Sequence, residues 1–254
     1  MRRICVNTLA RMVAACGAGF IAIPPAEADH KVYSPYVEEG VLEFEARGHR
    51  TIDPKSDKSD QQTHIYEIAY GVNSWWYTSL FGVLDKQPGE GFRYSATAWE
   101  NIFQLTPQGK YWADVGLYFE YRKSHIPAAP GEIETKLLLE KDIDPLVVTT
   151  NLIFNRDTGR NAGKGVGFEY AARAKYPWKR EIQFGVEAFG EPGRLTGFEP
   201  IAAQEHSVGP VLLGKFSIDG VPGVFNYNVG YLFGLTPGTP KGTAKWEFEY
   251  EIPF

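Results

Sequence analysis

Charged residues recur at every second position in several short tracts: Glu43, Glu45 and Arg47, then Glu120 and Arg122, Glu134 and Lys136, and Glu247 and Glu249. A β-strand has a side-chain period of two, so each set falls on one strand face. In the segment KWEFEYEIPF the other face holds Trp246, Phe248, Tyr250, Ile252 and Phe254. Carboxylates and bases gathered on one face can do two kinds of work. Lining a water path, an acidic excess favours cations or neutral polar solutes over anions. Turned on one another in a sealed space, the same groups neutralise in ion pairs, which costs less than leaving them unpaired.

Other constellations carry less. His206-Ser207 is the adjacent His/Ser pair that a lipid hydrolase reading would need as base and nucleophile. Neighbours on a strand point to opposite faces, so the two do not readily pair. Gly163, Gly165 and Gly167 resemble a phosphate loop in composition, but no Lys-Ser/Thr and no helical pattern follows, so close backbone approach in a strand is the expectation. His30, His49, His64, His125 and His206 lack metal-ligand spacing. Acid clusters at Glu38-Glu39 and at 57–60 read as solvated surface. The expectation is a non-enzyme with no cofactor and no metal.

The elements that must position the charges are strands. Alternating tracts occur at 41–49, 64–70, 75–84, 92–103, 112–122, 132–141, 146–155, 166–176, 181–190, 207–216, 224–233 and 243–254, and helical periodicity does not persist. Connections of odd rank, beginning at Thr51, Asp85, Lys123, Arg156, Glu191 and Leu235, are the longer and more polar. Those between are mostly tight: 73–74, 106–109, 142–145 and 177–180, with 217–223 an exception. A membrane barrel with both termini in the periplasm has this rhythm. Tyr70, Trp75, Trp76, Phe103, Tyr111, Trp112, Tyr176 and Trp178 flank the tight turns, as an interfacial aromatic girdle does. A soluble periplasmic β-sandwich would also give short strands with Gly and Pro turns, but gives no reason for aromatics there.

The amino terminus has Arg2, Arg3 and Arg11, an apolar run from Met12 to Ile23, and Ala26-Glu27-Ala28. That is the pattern of a secretory signal over residues 1–28, cleaved before Asp29. A lipoprotein reading at Cys16 leaves hardly any apolar run upstream of the cysteine. Both cysteines, Cys5 and Cys16, lie in this leader, so no disulfide is expected. Beyond it no run of about 18 apolar residues occurs, which excludes a helical span. The net charge of −5 argues against nucleic acid as a partner.

The expected fold is therefore all-β: a transmembrane antiparallel up-and-down β-barrel of about twelve strands, one domain over 29–254, in the cell outer membrane with its lipids as partners. The exported start, the alternation up to a final aromatic and the tract GYLFGLT from Gly230 resemble small proteobacterial outer-membrane β-barrel proteins, including the group named after the MetA pathway of phenol degradation. That resemblance implies that Tyr250, Ile252 and Phe254 form the signal read by the barrel-assembly machinery, with Pro253 a departure from the usual pattern. A polar-in rule makes Glu43, Glu45, Arg47, Glu67, Glu120, Arg122, Glu134, Lys136, Glu169, Arg173, Glu187, Glu247 and Glu249 lumen-lining, and leaves the 75–84 strand unassigned because it carries no charge. The function expected is a narrow porin-like channel for small cations or neutral polar solutes; a sealed structural barrel is the alternative, then an outer-membrane lipid hydrolase or a soluble periplasmic β-sandwich.

Overall fold

Apolar-polar alternation recurs along strands of ten to thirteen residues, and turn-forming Gly, Pro, Asn and Asp separate them. The computed structural model describes residues 30–254, so the leader read at 1–28 lies outside the described residues. The strands are β1 (Val41–Ile52), β2 (Gln62–Asn73), β3 (Trp76–Lys86), β4 (Arg93–Gln104), β5 (Asp114–Ser124), β6 (Gly131–Ile143), β7 (Leu146–Thr158), β8 (Gly167–Tyr176), β9 (Gln183–Arg194), the two-residue β10 (Gly197–Phe198), β11 (Glu205–Phe216), β12 (Val224–Gly234) and β13 (Gly242–Pro253). Among the described residues no helix forms.

Apart from β10, a short hairpin on β9, each strand pairs antiparallel with the next, and β13 pairs with β1 from Val41↔Pro253 to Ile52↔Gly242. The sheet is thus a closed twelve-strand up-and-down barrel without a free edge. Pro253 sits at the final pair of that seam, where its missing donor costs little.

One end carries the connections 53–61, 87–92, 125–130, 159–166, 195–204 and 235–241; the other carries 74–75, 105–113, 144–145, 177–182 and 217–223 together with the start of β1 and the end of β13. The length rhythm is weaker than the sequence suggests. Segment 105–113 is no tight turn, because Thr106 Oγ1 accepts from the Val115 amide and Asp114 accepts from the Gly109 amide, folding the chain back on itself.

Every strand has one face buried and one exposed. Tyr66, Ile68, Leu80, Trp99, Leu117, Phe184, Val186 and Phe248 are exposed at mid-strand. Tyr70, Trp75, Tyr111, Trp112, Tyr176 and Trp178 are exposed at the termini end, where Trp75 stacks near Trp76 and Phe103. A closed barrel that shows an apolar belt and an aromatic girdle outward, and hides its charges, is an outer-membrane barrel. A sandwich would hide apolar side chains between two sheets instead. The uncharged strand β3 turns Ser79, Phe81 and Val83 inward and Leu80 outward. The glycine expectation needs one correction: Gly163 and Gly165 lie in the connection 159–166, and Gly167 alone begins a strand.

Candidate functional site

The barrel interior is occupied by the chain's own amino-terminal segment. Residues 30–39 lie inside the barrel, with residue 39 at the end that holds the start of β1 and residue 30 at the vestibule end, and almost every residue has an anchor on the wall. The Val37 amide donates to Gln104 Oε1 at 2.9 Å and Tyr36 Oη to Asp114 Oδ2 at 2.7 Å. Pro35 packs on Gly116, where a Cβ would stand 3.0 Å from Pro35 Cβ; the glycine leaves room for the plug. Ser34 Oγ donates to Glu140 at 3.4 Å. Tyr33 is held at two points by Asn151, amide to Oδ1 and Nδ2 to carbonyl, both 2.8 Å. Its ring meets Tyr118 edge-on at 4.8 Å, and its hydroxyl donates to Glu100 Oε2 at 3.2 Å. Val32 packs with Ile153, Ala171, Phe189 and Leu232. At the top, the His30 ring lies 4.5 Å from that of His49.

Lys31 carries the plug's charge. Its ammonium pairs with Glu45 and lies 3.6 Å from both Glu247 and Glu249. Carboxylate oxygens of Glu43, Glu45 and Glu249 come within 4.8 Å of one another beside it. Arg47 is taken up by Glu45 and Glu67, and Tyr77 Oη donates to Glu43 at 3.3 Å and to Glu67 at 3.2 Å.

Further clusters lie on other parts of the wall. Glu120 accepts from Tyr118 Oη at 2.6 Å and from Arg122 Nε at 2.8 Å, while Lys136 pairs with Glu134 at 3.0 Å under the rings of Tyr33 and Tyr118. Glu187 is paired with Lys245 at 2.6 Å and Arg173 at 3.6 Å and accepts from Asn228 at 2.9 Å. Glu169 accepts from Asn155 Nδ2. The thirteen charged residues named from strand parity sit in these clusters, and Arg47, Arg122, Glu169 and Glu247 also border the space above the plug. Above the plug the interior widens into a vestibule of about 650 Å³ that opens among the longer connections, with His30, Arg47, His49, Arg122, Glu132, Glu169, Arg194 and Glu247 among its lining.

Sequence parity missed the plug and also Glu100. Strand β4 has an extra residue at Ser95, because Val83 faces Ala96 while Leu84 faces Tyr94. Beyond that bulge the even positions Ala96, Ala98, Glu100 and Ile102 turn inward, although Tyr94 points outward. A parity count from Phe92 therefore places Glu100 with the lipid-facing aromatics. No residue type marks the bulge in advance.

Tyr250 stacks on Phe225 at 4.4 Å on the outer surface, Ile252 is half-buried, and the Phe254 side chain is 89% exposed while its amide donates to Gly40 O at 2.7 Å. His206 and Ser207 fall on opposite faces: Tyr170 Oη and Gln204 Oε1 lie 3.0 and 2.7 Å from the two imidazole nitrogens, and Ser207 is buried inward. The hydrolase pair is not assembled.

The sequence matches no family model and no curated protein. Solved outer-membrane channels are similar at low identity: OccD1 (OprD) carrying two substitutions, 11% identical over 85% of this chain and 66% of that one with a TM-score of 0.38; Pseudomonas aeruginosa OprD, 11% over 85% and 67% with 0.39; and Salmonella typhi OmpF in complex with daunomycin, 9% over 84% and 96% with 0.35. The chain thus spans about two thirds of the length of OccD1 and OprD.

Proposed function

We propose that this porin-like barrel is a narrow channel for small cations and neutral polar solutes, shut in the present conformation by residues 30–39. The observation that carries the reading is the acidic excess around Lys31, where Glu43, Glu45, Glu67, Glu247 and Glu249 outnumber Arg47 and Lys31. A ring of carboxylates at the mouth of a pore attracts cations and repels anions. A chain lacking residues 30–38, inserted in a planar bilayer, is expected to conduct, with a reversal potential under a KCl gradient that favours K⁺. Inserted protein without conductance overturns the channel reading.

A sealed structural barrel is the second reading. It is favoured by the dense interior, in which Tyr118, Leu138 and Leu232 are fully buried. The same recording separates the two readings.

Two finer readings rest on the sequence. The group named after the MetA pathway of phenol degradation is supported by the Gly230 tract and the aromatic last strand, and a member with a different strand number would oppose it. Tyr250, Ile252 and Phe254 are proposed to be read by the barrel-assembly machinery, which an exposed Phe254 suits. Removing Phe254 is expected to lower the yield of folded barrel in outer membranes without changing the melting of refolded protein; equal yields oppose the assembly role.

A further inference from the structure

The plug and the acidic cluster meet at one atom, the Lys31 ammonium, and that meeting suggests how the lumen opens. Register across the closing seam sets Glu43 opposite Glu251, Glu45 opposite Glu249 and Arg47 opposite Glu247. Acid faces acid along one wall, which a sheet avoids unless a cation intervenes. Arg47 is engaged by Glu45 and Glu67, and Lys245 by Glu187, while Lys31, borne by the plug, lies 3.6 Å from both Glu247 and Glu249. It is 8% exposed and belongs to no strand. A second observation is independent of this cluster. Glu100, 0% exposed, faces Tyr33 of the plug, and its Oε1 finds no donor among the described residues. The wall carries more carboxyl groups here than cations of its own to pair with them.

We propose that residues 30–39 form an autoinhibitory gate in which the Lys31 ammonium occupies the position a solute cation takes in the open lumen. This rests on the channel reading above. The plug's anchors are separate hydrogen bonds, one ion-paired lysine and the packing of Val32 and Tyr33, and no strand ladder ties residues 30–39 to the wall. Its departure strips the seam of its counter-ion, so departure and cation entry are coupled: the gate exchanges a tethered cation for a free one. Neutral solutes then follow through the lumen that the exchange has opened.

The test uses three proteins in planar bilayers. In the first, Gly116→Val fills the space that Pro35 occupies, where a Cβ alone would stand 3.0 Å from Pro35 Cα and Cβ. With the seat of the plug obstructed, it is expected to open more often than the wild type. The second, Lys31→Met, keeps the bulk and loses the charge; its open probability is expected to rise roughly tenfold or more. Millimolar Ca²⁺ on the vestibule side, used as the probe cation, is expected to open the wild type and to change Lys31→Met little. The third, lacking residues 30–38, tests the channel by itself. If it is silent, the channel reading falls. If it conducts while Gly116→Val or Lys31→Met opens no more than wild type, the channel stands and the gate is overturned. A purely structural Lys31 would lower thermal stability and leave opening unchanged, which also overturns it.

Discussion

Glu187 shows what a buried charge in this lumen requires. It is 0% exposed and held by Lys245 at 2.6 Å, Arg173 at 3.6 Å and Asn228 at 2.9 Å. Removing one partner of a buried pair leaves the other charge poorly compensated and costs on the order of 3 kcal/mol. Lys245→Met is therefore expected to lower the unfolding free energy in vesicles by about that amount, less whatever Arg173 recovers by moving closer. Lys215→Met is the control: it faces Glu251 at 3.6 Å with a half-exposed side chain, and a pair of that kind contributes at most about 1 kcal/mol. Equal losses for the two would contradict the assignment of Glu187 to a dry interior. Strand parity is enough to name Glu187, Lys245 and Arg173 as inward. It could not name Glu100, because a bulge reverses parity within one strand and has no signature in residue type.

At the scale of elements, the twelve strands were legible because each repeats one pattern long enough to be counted. The plug was not. Residues 30–39 have no period, and each touches a different part of the wall, so nothing local distinguishes a lumenal segment from a disordered lead-in to β1. Only the closed barrel shows that its interior needs a filling, and that Gly116 leaves a gap the size of Pro35. The connection 53–61 carries a different kind of order, built on exposed charge. Asp60 is held below its ordinary range first by the Lys86 ammonium and then by Gln62, and Asp53 by the amides of Lys55 and Lys241. A carboxylate depressed in the folded state contributes order that is fully present above its unfolded pKa of 3.8 and is lost as pH falls through the lower folded value. A nitroxide on Ser56→Cys is therefore expected to keep one mobility from neutral pH down to about pH 4 and to loosen as the pH is lowered further. A spectrum unchanged over that whole range would show that other contacts hold the loop.

The whole molecule depends on one seam. Closure of the barrel requires β1 to meet β13, and the register of that meeting sets carboxylates against carboxylates. Like charges near 4.8 Å repel by about 1 kcal/mol in bulk water and about 3 kcal/mol at the dielectric of a protein surface. Lys31 offsets this repulsion in the closed state, so the plug holds the seam as well as blocking the path. A chain lacking residues 30–38 should still close, because eleven other strand interfaces and the ladder of the seam itself are untouched. It should be less stable than the full chain by roughly 1 to 3 kcal/mol at low salt, the higher end applying if the emptied lumen stays dry. Water and mobile ions that enter the emptied lumen screen the carboxylates, so the difference should shrink as ionic strength rises. Denaturant unfolding of both proteins refolded in vesicles, at low and at high salt, checks the sign and the trend. Equal stability at low salt would mean that the seam tolerates its own charge, and Lys31 would then be a passenger of the plug and not the counter-ion of the barrel.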